Sequence, residues 1–426
     1  MIAAKHLVRA ALLGSALALT SCGTLVREAR FRTTGVTIPG PTDAGRAAAA
    51  WQYFRDQRDP ARGLVMAADG AGFTTPAAIG DDLAAAFAAY RLGVIDRAEY
   101  DGHIAADLTF LQQIPLADGA LPGRFYATGS GALVDFPTAR DPGWSAVEIG
   151  RLLVWLRLVA ATELARAAGI EAIVGRWQLC RARDGQGQLL TALPDNRGGF
   201  TIVPDTRRGQ VDYAVEGYRA WGLAIAEQPA TDFAVKVHGV SLPIRPAGAD
   251  HGPLVTSPYA LLGIEFGWTQ PDGQPLPVAA ATFRKLVDVQ RRRTEAEHVP
   301  TARDDYRQAE APFVVVSSVL AGSLPWSTID GVGAPHPELA LTSTKASFAM
   351  WALAPQSYTA KLVTGAGEGN SRRGGWQEGV RENGGKPVAT RTSATNAVVL
   401  ESLLYRRTGR LAPAAMKIRP DACARP

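Results

Sequence analysis

Cysteine, histidine and long apolar runs are scarce in this sequence, and each scarcity excludes a class of protein. The 426 residues include only 3 cysteines and 6 histidines. Three cysteines cannot build a disulfide scaffold, and no Cys/His pairs stand at the spacing of a zinc site. The chain also lacks an apolar run of about 18 residues, so we expect no membrane-spanning segment in the mature protein. A metal ion is not expected either.

The charged residues and the glycine motifs exclude two further classes. The 45 Lys and Arg residues are spread along the chain among 40 Asp and Glu residues, and the only dense basic cluster is residues 291–293. Dedicated nucleic-acid binding is therefore not expected. The sequence contains neither a Walker loop nor a Gly-x-Gly-x-x-Gly turn after a strand, and no Gly-x-Ser-x-Gly elbow. We predict a globular protein without a cofactor.

The first residues have the pattern of an export signal. Lys5 and Arg9 precede an apolar run over residues 10–19, and the sequence Leu-Thr-Ser-Cys then ends at Cys22. A basic stretch, a short apolar stretch and small residues at the cut are typical of a secretory signal peptide. The final tetrapeptide is a lipobox pattern, which predicts a signal peptide at residues 1–21 and lipidation of Cys22. The alternative is an ordinary signal peptide that carries a coincidental cysteine.

The remainder of the chain divides into a tether and one domain. Residues 22–42 lack an amphipathic period and are predicted to hold the domain, residues 43–426, away from a membrane reached through the lipid. We expect a periplasm-facing location in the cell envelope. Gly23, rather than an aspartate, follows the lipidated cysteine and favours the outer membrane. In an oxidising envelope Cys180 and Cys423 could form a disulfide or remain free thiols.

Periodicity predicts a mainly helical body. Thr75 followed by Pro76 is a helix N-cap with proline in the first turn, and the next residues carry apolar side chains at helical spacing. Helices are predicted within 43–55 and 76–93, between Gly93 and Pro115, and at 145–168, 170–182, 209–226, 256–267, 279–298, 345–354 and 392–408. Short strands are predicted within 199–204, 233–244 and 313–320. Since no fixed repeat indicates a solenoid, we predict an all-α toroid, an (α/α)6 barrel of six helical hairpins, with a groove lined by loops at one end.

Carboxylates and aromatic residues in those loops indicate a carbohydrate site. Two carboxyl groups usually cleave a glycosidic bond, and in inverting enzymes they stand about 6.5–9.5 Å apart. We predict Glu148 and Glu378 as the catalytic pair, with Asp141 and Glu382 in reserve. Glu148 has a structural alternative. Ser145 and Glu148 have capping-box spacing, in which the glutamate side chain bonds back to the start of the helix.

Several further residues are candidates for holding the sugar. Tyr126, Trp144 and Trp376 are predicted to form an aromatic platform. Arg151 should lower the pKa of a neighbouring carboxylate, which suits a catalytic base. Asp82 is a candidate sugar ligand, although an acid near the start of a helix can simply complement the helix dipole.

Glu265 and Glu401 lie in nearly continuous apolar runs. A buried acid needs a partner or takes up a proton. Each of the two is either a structural acid or a proton donor that faces the groove.

Several stretches together resemble one bacterial family. The segments, in chain order, are 51–54, 92–95, 143–146, 150–153, 343–348 and 395–403. Their order and residues resemble those of the family called domain of unknown function 3131. The helix pattern of that family is similar to that of the glycoamylase-like domains of β-1,2-glucan metabolism. The resemblance implies an α/α toroid and a role with extracellular or periplasmic glycans.

Two positions depart from the pattern that the resemblance implies. The family commonly has an aspartate where this chain has Ala78, and often an aspartate at the position of Glu148. If the missing aspartate is catalytic in the family, this member is inactive or uses Asp81 or Asp82 instead. The leading hypothesis is an envelope lipoprotein that hydrolyses a polysaccharide, of β-glucanase type and with inversion. The alternatives are a glycan-binding or polysaccharide-assembly lipoprotein without catalysis, and a scaffold for an envelope machine.

Overall fold

The computed structural model describes residues 42–135, 140–225, 233–244, 252–367, 374–416, 418 and 423. The predicted signal peptide, the predicted lipidation site Cys22 and all but the last residue of the predicted tether lie outside the described residues. Within the described part of the chain, no helix combines the length and the apolar character needed to cross a membrane.

Helices dominate the described residues, and the strands are short. The α-helices are α1 Asp43–Asp56, α2 Pro76–Leu92, α3 Arg97–Gln113, α4 Ala146–Thr162, α5 Leu164–Gly175, α6 Gln210–Ala220, α7 Ser257–Phe266, α8 Pro277–Glu297, α9 Thr344–Leu353, α10 Ser357–Gly367 and α11 Ser393–Thr408. The strands are β1 Phe73–Thr74, β2 Leu116–Ala117, β3 Leu121–Pro122, β4 Tyr126–Ala127, β5 Leu190–Pro194, β6 Phe200–Pro204, β7 Ala234–Val237, β8 Val240–Pro243, β9 Asp305–Arg307, β10 Val314–Ser317, β11 Leu320–Ala321, β12 Leu324–Pro325, β13 Thr328–Asp330, β14 Leu341–Ser343, β15 Gln377–Arg381 and β16 Pro387–Arg391.

Six of the helices form a closed inner ring. Each contacts the next in the order α2, α4, α6, α7, α9, α11, and α11 returns to contact α2. The helices α1, α3, α5, α8 and α10 alternate with them along the chain and pack against the outside of the ring. The all-α toroid predicted from the sequence is confirmed.

The alternation of inner and outer helices is interrupted between α6 and α7. No helix occupies the described residues there, and the chain instead forms the antiparallel hairpin of β7 and β8, which contacts α8. Two three-stranded antiparallel sheets, β13-β10-β9 and β14-β15-β16, also lie in the connections between helices. They carry residues into the region at the start of the inner helices.

Local sequence explains where the inner helices begin. The side chains of Thr75, Ser145, Ser343 and Thr392 each accept a hydrogen bond from the backbone N–H three residues later. Such capping satisfies one of the free donors of a helix start and contributes about 1 kcal/mol. Four of the six inner helices therefore begin at a hydroxyl residue that fixes their first turn.

Small residues allow two inner helices to approach closely. A Cβ atom added at Gly150 of α4 would stand 2.4 Å from the Cβ of Ala214 on α6, and one added at Gly217 would stand 2.3 Å from the Gly150 carbonyl oxygen. Neither distance is compatible with the present spacing of the helices. Both glycines are therefore required by the packing of α4 on α6.

Gly150→Ala is expected to lower the free energy of unfolding by about 1–3 kcal/mol, because the extra methyl group overpacks this contact. The matched control is Gly169→Ala on the exposed outer helix α5, where an added Cβ meets nothing within 4 Å. That variant should be more stable by about 0.5–1 kcal/mol, since alanine is the better helix former. Urea denaturation of both variants measures the difference, and equal effects of the two would contradict the packing argument.

A disulfide joins Cys180 to Cys423 across 243 residues of sequence. It fastens the C-terminal segment to the short 3-10 helix Leu179–Ala182 that follows α5. Of the two states left open for these cysteines, the structure has the disulfide.

Candidate functional site

One cavity of about 250 Å³ lies at the N-terminal ends of all six inner helices. Its lining combines charged side chains with hydroxyl and small apolar residues. The lining residues are Ala67, Thr75, Ala77, Ala78, Asp81, Val147, Glu148, Arg151, Arg207, Gln210, Tyr213, Ser257, Pro258, Leu261, Asp305, Tyr306, Arg307, Val314, Lys345, Glu378, Thr392, Ser393, Ala394 and Val398. The predicted groove at one end of the toroid therefore exists, and it contains both members of the predicted carboxyl pair.

A single guanidinium group forms the floor of the cavity. Arg151 of α4 donates to Asp81 of α2 at 3.0 Å, to Glu401 of α11 at 2.6 Å, and to Glu265 of α7. It also donates to the hydroxyl of Tyr213 on α6, at 2.8 Å. All five side chains are buried, so one arginine ties together five of the six inner helices.

The floor contains three buried carboxyl groups, of Asp81, Glu265 and Glu401, and one guanidinium group. Burial raises the pKa of Glu401 well above its ordinary value, and although Arg151 opposes this, the neighbouring Glu265 adds to it. Burial also raises the pKa of Asp81, against the pull of Arg151. Of the two roles considered for Glu265 and Glu401, the geometry gives the structural one, because both are engaged by the arginine.

Glu148 extends into the cavity from the first turn of α4. Ser145 caps the helix by accepting the Glu148 N–H at 3.4 Å, but the Glu148 side chain does not complete a capping box. Its Oε2 atom is buried and has no hydrogen-bond partner among the described residues. An unpartnered buried carboxylate oxygen in a cavity is a place where water or a ligand is expected to bind.

The electrostatics of Glu148 differ from those expected. Arg151 was predicted to lower the pKa of this carboxyl, but Arg151 is turned to the floor and bonds other acids. Burial instead raises the pKa of Glu148, opposed in order by Arg307, Arg207 and Arg124. The carboxyl thus becomes more basic than an exposed glutamate while positive groups still favour its ionised form.

Glu378 reaches the cavity from strand β15. Glu378 was expected in one of the loops that line the groove, but it lies in the central strand of the β14-β15-β16 sheet. The Glu378 Oε1 atom accepts hydrogen bonds from the hydroxyls of Thr392 and, at 3.0 Å, of Thr395. Burial raises the Glu378 pKa to about 7, despite the opposing effects of Lys345 and the two threonines. At neutral pH this carboxyl can hold and release a proton.

The structure adds an ion pair that the sequence did not indicate. Lys345, at the start of α9, donates to Asp305 at 3.0 Å and lies 3.7 Å from Asp304. Burial would raise the Asp305 pKa, but Lys345 and its hydrogen-bond donors hold it at about 2. Asp305 is therefore a permanent anion in the cavity. No sequence motif marks Asp305 as a cavity residue. It reaches the cavity because of the path of the β9–β10 hairpin.

The predicted aromatic platform is wrong. Tyr126, Trp144 and Trp376 are each at most 1% exposed and belong to the hydrophobic core. Tyr126 donates its hydroxyl to the Pro115 carbonyl, and the indole N–H of Trp376 donates to the Arg46 carbonyl. These rings were expected at a surface because they lie in loops, but the loops fold inward and the rings fill space between helices.

Three of the predicted acids also lie outside the cavity. Asp141 accepts the backbone N–H groups of Asp118 and Gly143 and shapes its own loop. Glu382 is bound by Arg303, at 2.6 Å, and by Arg293. Both acids are therefore structural, and neither lines the cavity.

Asp82 is the third of these acids. It is fully buried and faces the outer helix α3, where its carboxylate lies 3.0 Å from the Nδ1 atom of His103. It cannot contact a ligand in the cavity, whereas its neighbour Asp81 lines it. Ala78, the position that departs from the family pattern, lines the cavity as well.

Solved structures share this fold. An endo-β-1,2-glucanase from Chitinophaga pinensis, in complex with sophorotriose and glucose, matches with a TM-score of 0.64 and 13% identity, over 87% of this chain and 94% of that chain. An endo-β-1,2-glucanase from Talaromyces funiculosus, in complex with sophorose, matches with a TM-score of 0.52 and 11% identity, over 87% and 85%. A cellobiose 2-epimerase from Spirochaeta thermophila matches with a TM-score of 0.50 and 14% identity, over 85% and 96%.

At these identities the similarity establishes the fold, and the epimerase shows that the toroid hosts more than one chemistry. No curated protein matches the sequence significantly. Residues 45–409 match the family described as "Protein of unknown function (DUF3131)". Since that match spans nearly all of the described domain, the chain belongs to the DUF3131 family, and it shares the toroid fold of these solved structures.

Proposed function

We propose that this protein is a glycoside hydrolase that cleaves a β-glucan with inversion at the anomeric carbon. The observation that carries the proposal is the presence of Glu148 and Glu378 in one cavity, the first with a free carboxylate oxygen and the second with a pKa of about 7. The similarity in fold to two β-1,2-glucanases supports it.

The two carboxyl groups have different tasks in this proposal. Glu378 is protonated over much of the neutral range and gives its proton to the glycosidic oxygen as that bond breaks. The hydroxyls of Thr392 and Thr395 stabilise the carboxylate that this transfer leaves. The positive charge of Lys345 acts in the same direction.

Glu148 is the base. Its unpartnered Oε2 atom accepts a hydrogen bond from a water molecule and takes the proton when that water attacks the anomeric carbon. Its raised pKa makes it a stronger base than an exposed glutamate, while three arginines favour its ionised state. The reaction requires an ionised Glu148 and a protonated Glu378, and the three arginines act toward the first state.

The test is the release of reducing ends by the purified chain from linear and cyclic β-1,2-glucans, with β-1,3- and β-1,4-glucans alongside. The anomer first released, followed by NMR, distinguishes inversion from retention. Hydrolysis of one linkage with release of the inverted anomer is the expected result. Retention of configuration would contradict the assignment of a water-activating base.

One observation favours a second candidate function, glycan binding without cleavage. Ala78 lines the cavity at a position where the resemblance implies an aspartate. If that aspartate were the family's base, this chain would bind the glucan and leave it intact. Titration calorimetry with the same glucans would then give binding without any release of reducing ends.

We also propose that the chain is exported and anchored to the cell envelope by lipid on Cys22, after removal of residues 1–21. The disulfide between Cys180 and Cys423 supports an oxidising compartment, in which such bonds persist. Metabolic labelling with a palmitate analogue should mark the native protein, and Cys22→Ser should abolish the label and release the protein from membranes. The outer membrane, separated by density from the inner one, is the expected location.

A further inference from the structure

Three guanidinium groups surround Glu148 on one side of the cavity. Arg207 and Arg307 line the cavity, and Arg124, which follows β3, is close enough to act on the same carboxyl. They come from three separate connections of the chain. Their positions leave one wall of the cavity basic, directly beside the group to which we assigned the base.

Two of these arginines differ from Arg207, Arg151 and Lys345, each of which forms a salt bridge. Arg207 pairs with Asp205 at 2.5 Å. Arg151 and Lys345 are likewise neutralised by carboxylates. Neither Arg124 nor Arg307 makes a salt bridge within the part of the chain that the structure describes.

The unpaired arginines are held in place by aromatic rings. The Arg124 guanidinium lies 5.1 Å from the ring centre of Phe125, and that of Arg307 lies 5.8 Å from the ring centre of Phe73. The two rings themselves pack edge to face at 5.4 Å. Stacking on an aromatic face orients a guanidinium and leaves its N–H edge free for another partner.

A half-buried, oriented cation without a counter-ion indicates an anion that binds from outside. Guanidinium groups recognise carboxylates and phosphates with two parallel hydrogen bonds. Such a group in the cavity would neutralise the wall beside Glu148. Neutral sugar hydroxyls would add no negative charge to that of the Glu148 carboxylate.

We propose that Arg124 and Arg307 bind a negatively charged substituent of the glycan, a carboxylate or a phosphate, so that the enzyme prefers an acidic glucan to the same glucan without charge. This inference rests on the proposed function, because it places the substituent on the chain that the carboxyl pair cleaves. It adds a specificity site to that reaction.

The alternative role for the two arginines is to keep Glu148 ionised and nothing more. The two roles differ in a measurable way. An effect on the Glu148 carboxyl changes the hydrolysis of charged and neutral glucans equally and moves the pH profile. A contact with the substituent changes only the charged substrate.

The experiment compares a neutral β-glucan with the same glucan after carboxymethylation or phosphorylation, using wild type, Arg124→Gln and Arg307→Gln. For the wild type, we expect a KM at least about tenfold lower on one of the charged glucans, the size of a charged hydrogen bond. Each variant should raise that KM about tenfold relative to the KM for the neutral glucan, whereas any effect through the Glu148 carboxyl changes both substrates alike. Whichever glucan, carboxymethylated or phosphorylated, shows the lowered KM identifies carboxylate or phosphate as the ligand.

Arg284→Gln, on the exposed face of the outer helix α8, is the matched control, because it removes the same charge far from the cavity. Equal KM values for charged and neutral glucans in the wild type would overturn the inference and leave the hydrolase intact. A loss of equal size on the charged and the neutral glucan, together with a shifted pH profile, would overturn it in favour of the tuning role alone. If no glucan is cleaved, the same comparison by titration calorimetry still decides the preference, while the hydrolase proposal fails separately.

Discussion

Glu378→Gln is expected to lower kcat for glucan hydrolysis by about 10²–10⁴-fold, the usual contribution of a general acid. Glutamine keeps the shape of the side chain and can still accept from Thr392 and Thr395, so the strand β15 should remain in place. It cannot give a proton to the leaving oxygen. The loss should therefore appear in kcat, with little change in KM.

The leaving group distinguishes a lost proton donor from general damage. In an aryl glycoside with an acidic phenol, the phenolate leaves without being protonated. Glu378→Gln should therefore retain much more activity on that substrate than on a glucan. Glu148→Gln removes the base instead and should lose activity on both substrates. Asp141→Asn, outside the cavity, is the control and should behave as the wild type. An equal loss on both substrates in Glu378→Gln would show that this glutamate is not the proton donor.

The pH profile of the wild type gives an independent measure. Because the acid must be protonated, kcat/KM should fall as the pH rises through the Glu378 pKa of about 7. In Glu378→Gln this alkaline limb should vanish. A wild-type profile that stays flat to pH 9 would contradict the assignment.

Arg151→Met is expected to lower the free energy of unfolding by about 3–5 kcal/mol at pH 7, because it removes one partner of a buried ion cluster. The carboxyl groups of Asp81, Glu265 and Glu401 would remain buried without their common donor. A loss of this size is a large part of the total stability of an ordinary domain. Urea denaturation measures it.

The deficit should depend on pH with a definite sign. Without the arginine, the pKa values of the buried Asp81 and Glu401 carboxyls rise further above their unfolded values, so the folded state binds their protons more tightly. Their stabilising protonation is complete below the unfolded pKa of about 4 and is lost as the pH rises. The variant should therefore approach wild-type stability near pH 4. A deficit of constant size from pH 4 to 8 would contradict this account.

The control for that measurement is Arg97→Met. Arg97 also pairs with two carboxylates, those of Asp101 and Glu163, but its side chain is half exposed. Solvent screens such pairs, and the expected change is within about 1 kcal/mol.

Local signals in the sequence were sufficient to predict most of the helices. Threonine followed by proline places the start of α2 at Pro76, and the predicted helix at 392–408 is α11 almost residue for residue. The helix predicted at 145–168 is instead two helices, α4 and α5, since the chain turns at Glu163. Helix α10 was missed because its glycines and hydroxyl residues weaken the helical pattern.

Pairwise geometry across the ring could not be predicted in the same way. The spacing of Ser145 and Glu148 correctly indicates the cap, but the direction of the Glu148 carboxylate depends on arginines from distant connections. Sequence placed Arg151 near Glu148 because they are one turn apart, whereas its partners lie 70, 114 and 250 residues away.

Aromatic residues in polar loops were the most misleading signal. A tryptophan between glycines, such as Trp376, is as compatible with a loop that closes over the core as with a sugar platform. Only the three-dimensional path of the loop decides between them. The same holds for Asp305, whose position in the cavity depends on the β9–β10 hairpin.

The contact between α2 and α11, which closes the ring, also determines when the protein can fold during synthesis. The ribosome delivers α2 more than 300 residues before α11, and the Ser393 hydroxyl that meets Asp81 arrives with the latter. Until then α2 has one of its two ring neighbours, and Arg151 lacks Glu401. The ring is therefore completed only near the end of translation, and until then the uncovered face of α2 is what a chaperone would have to cover.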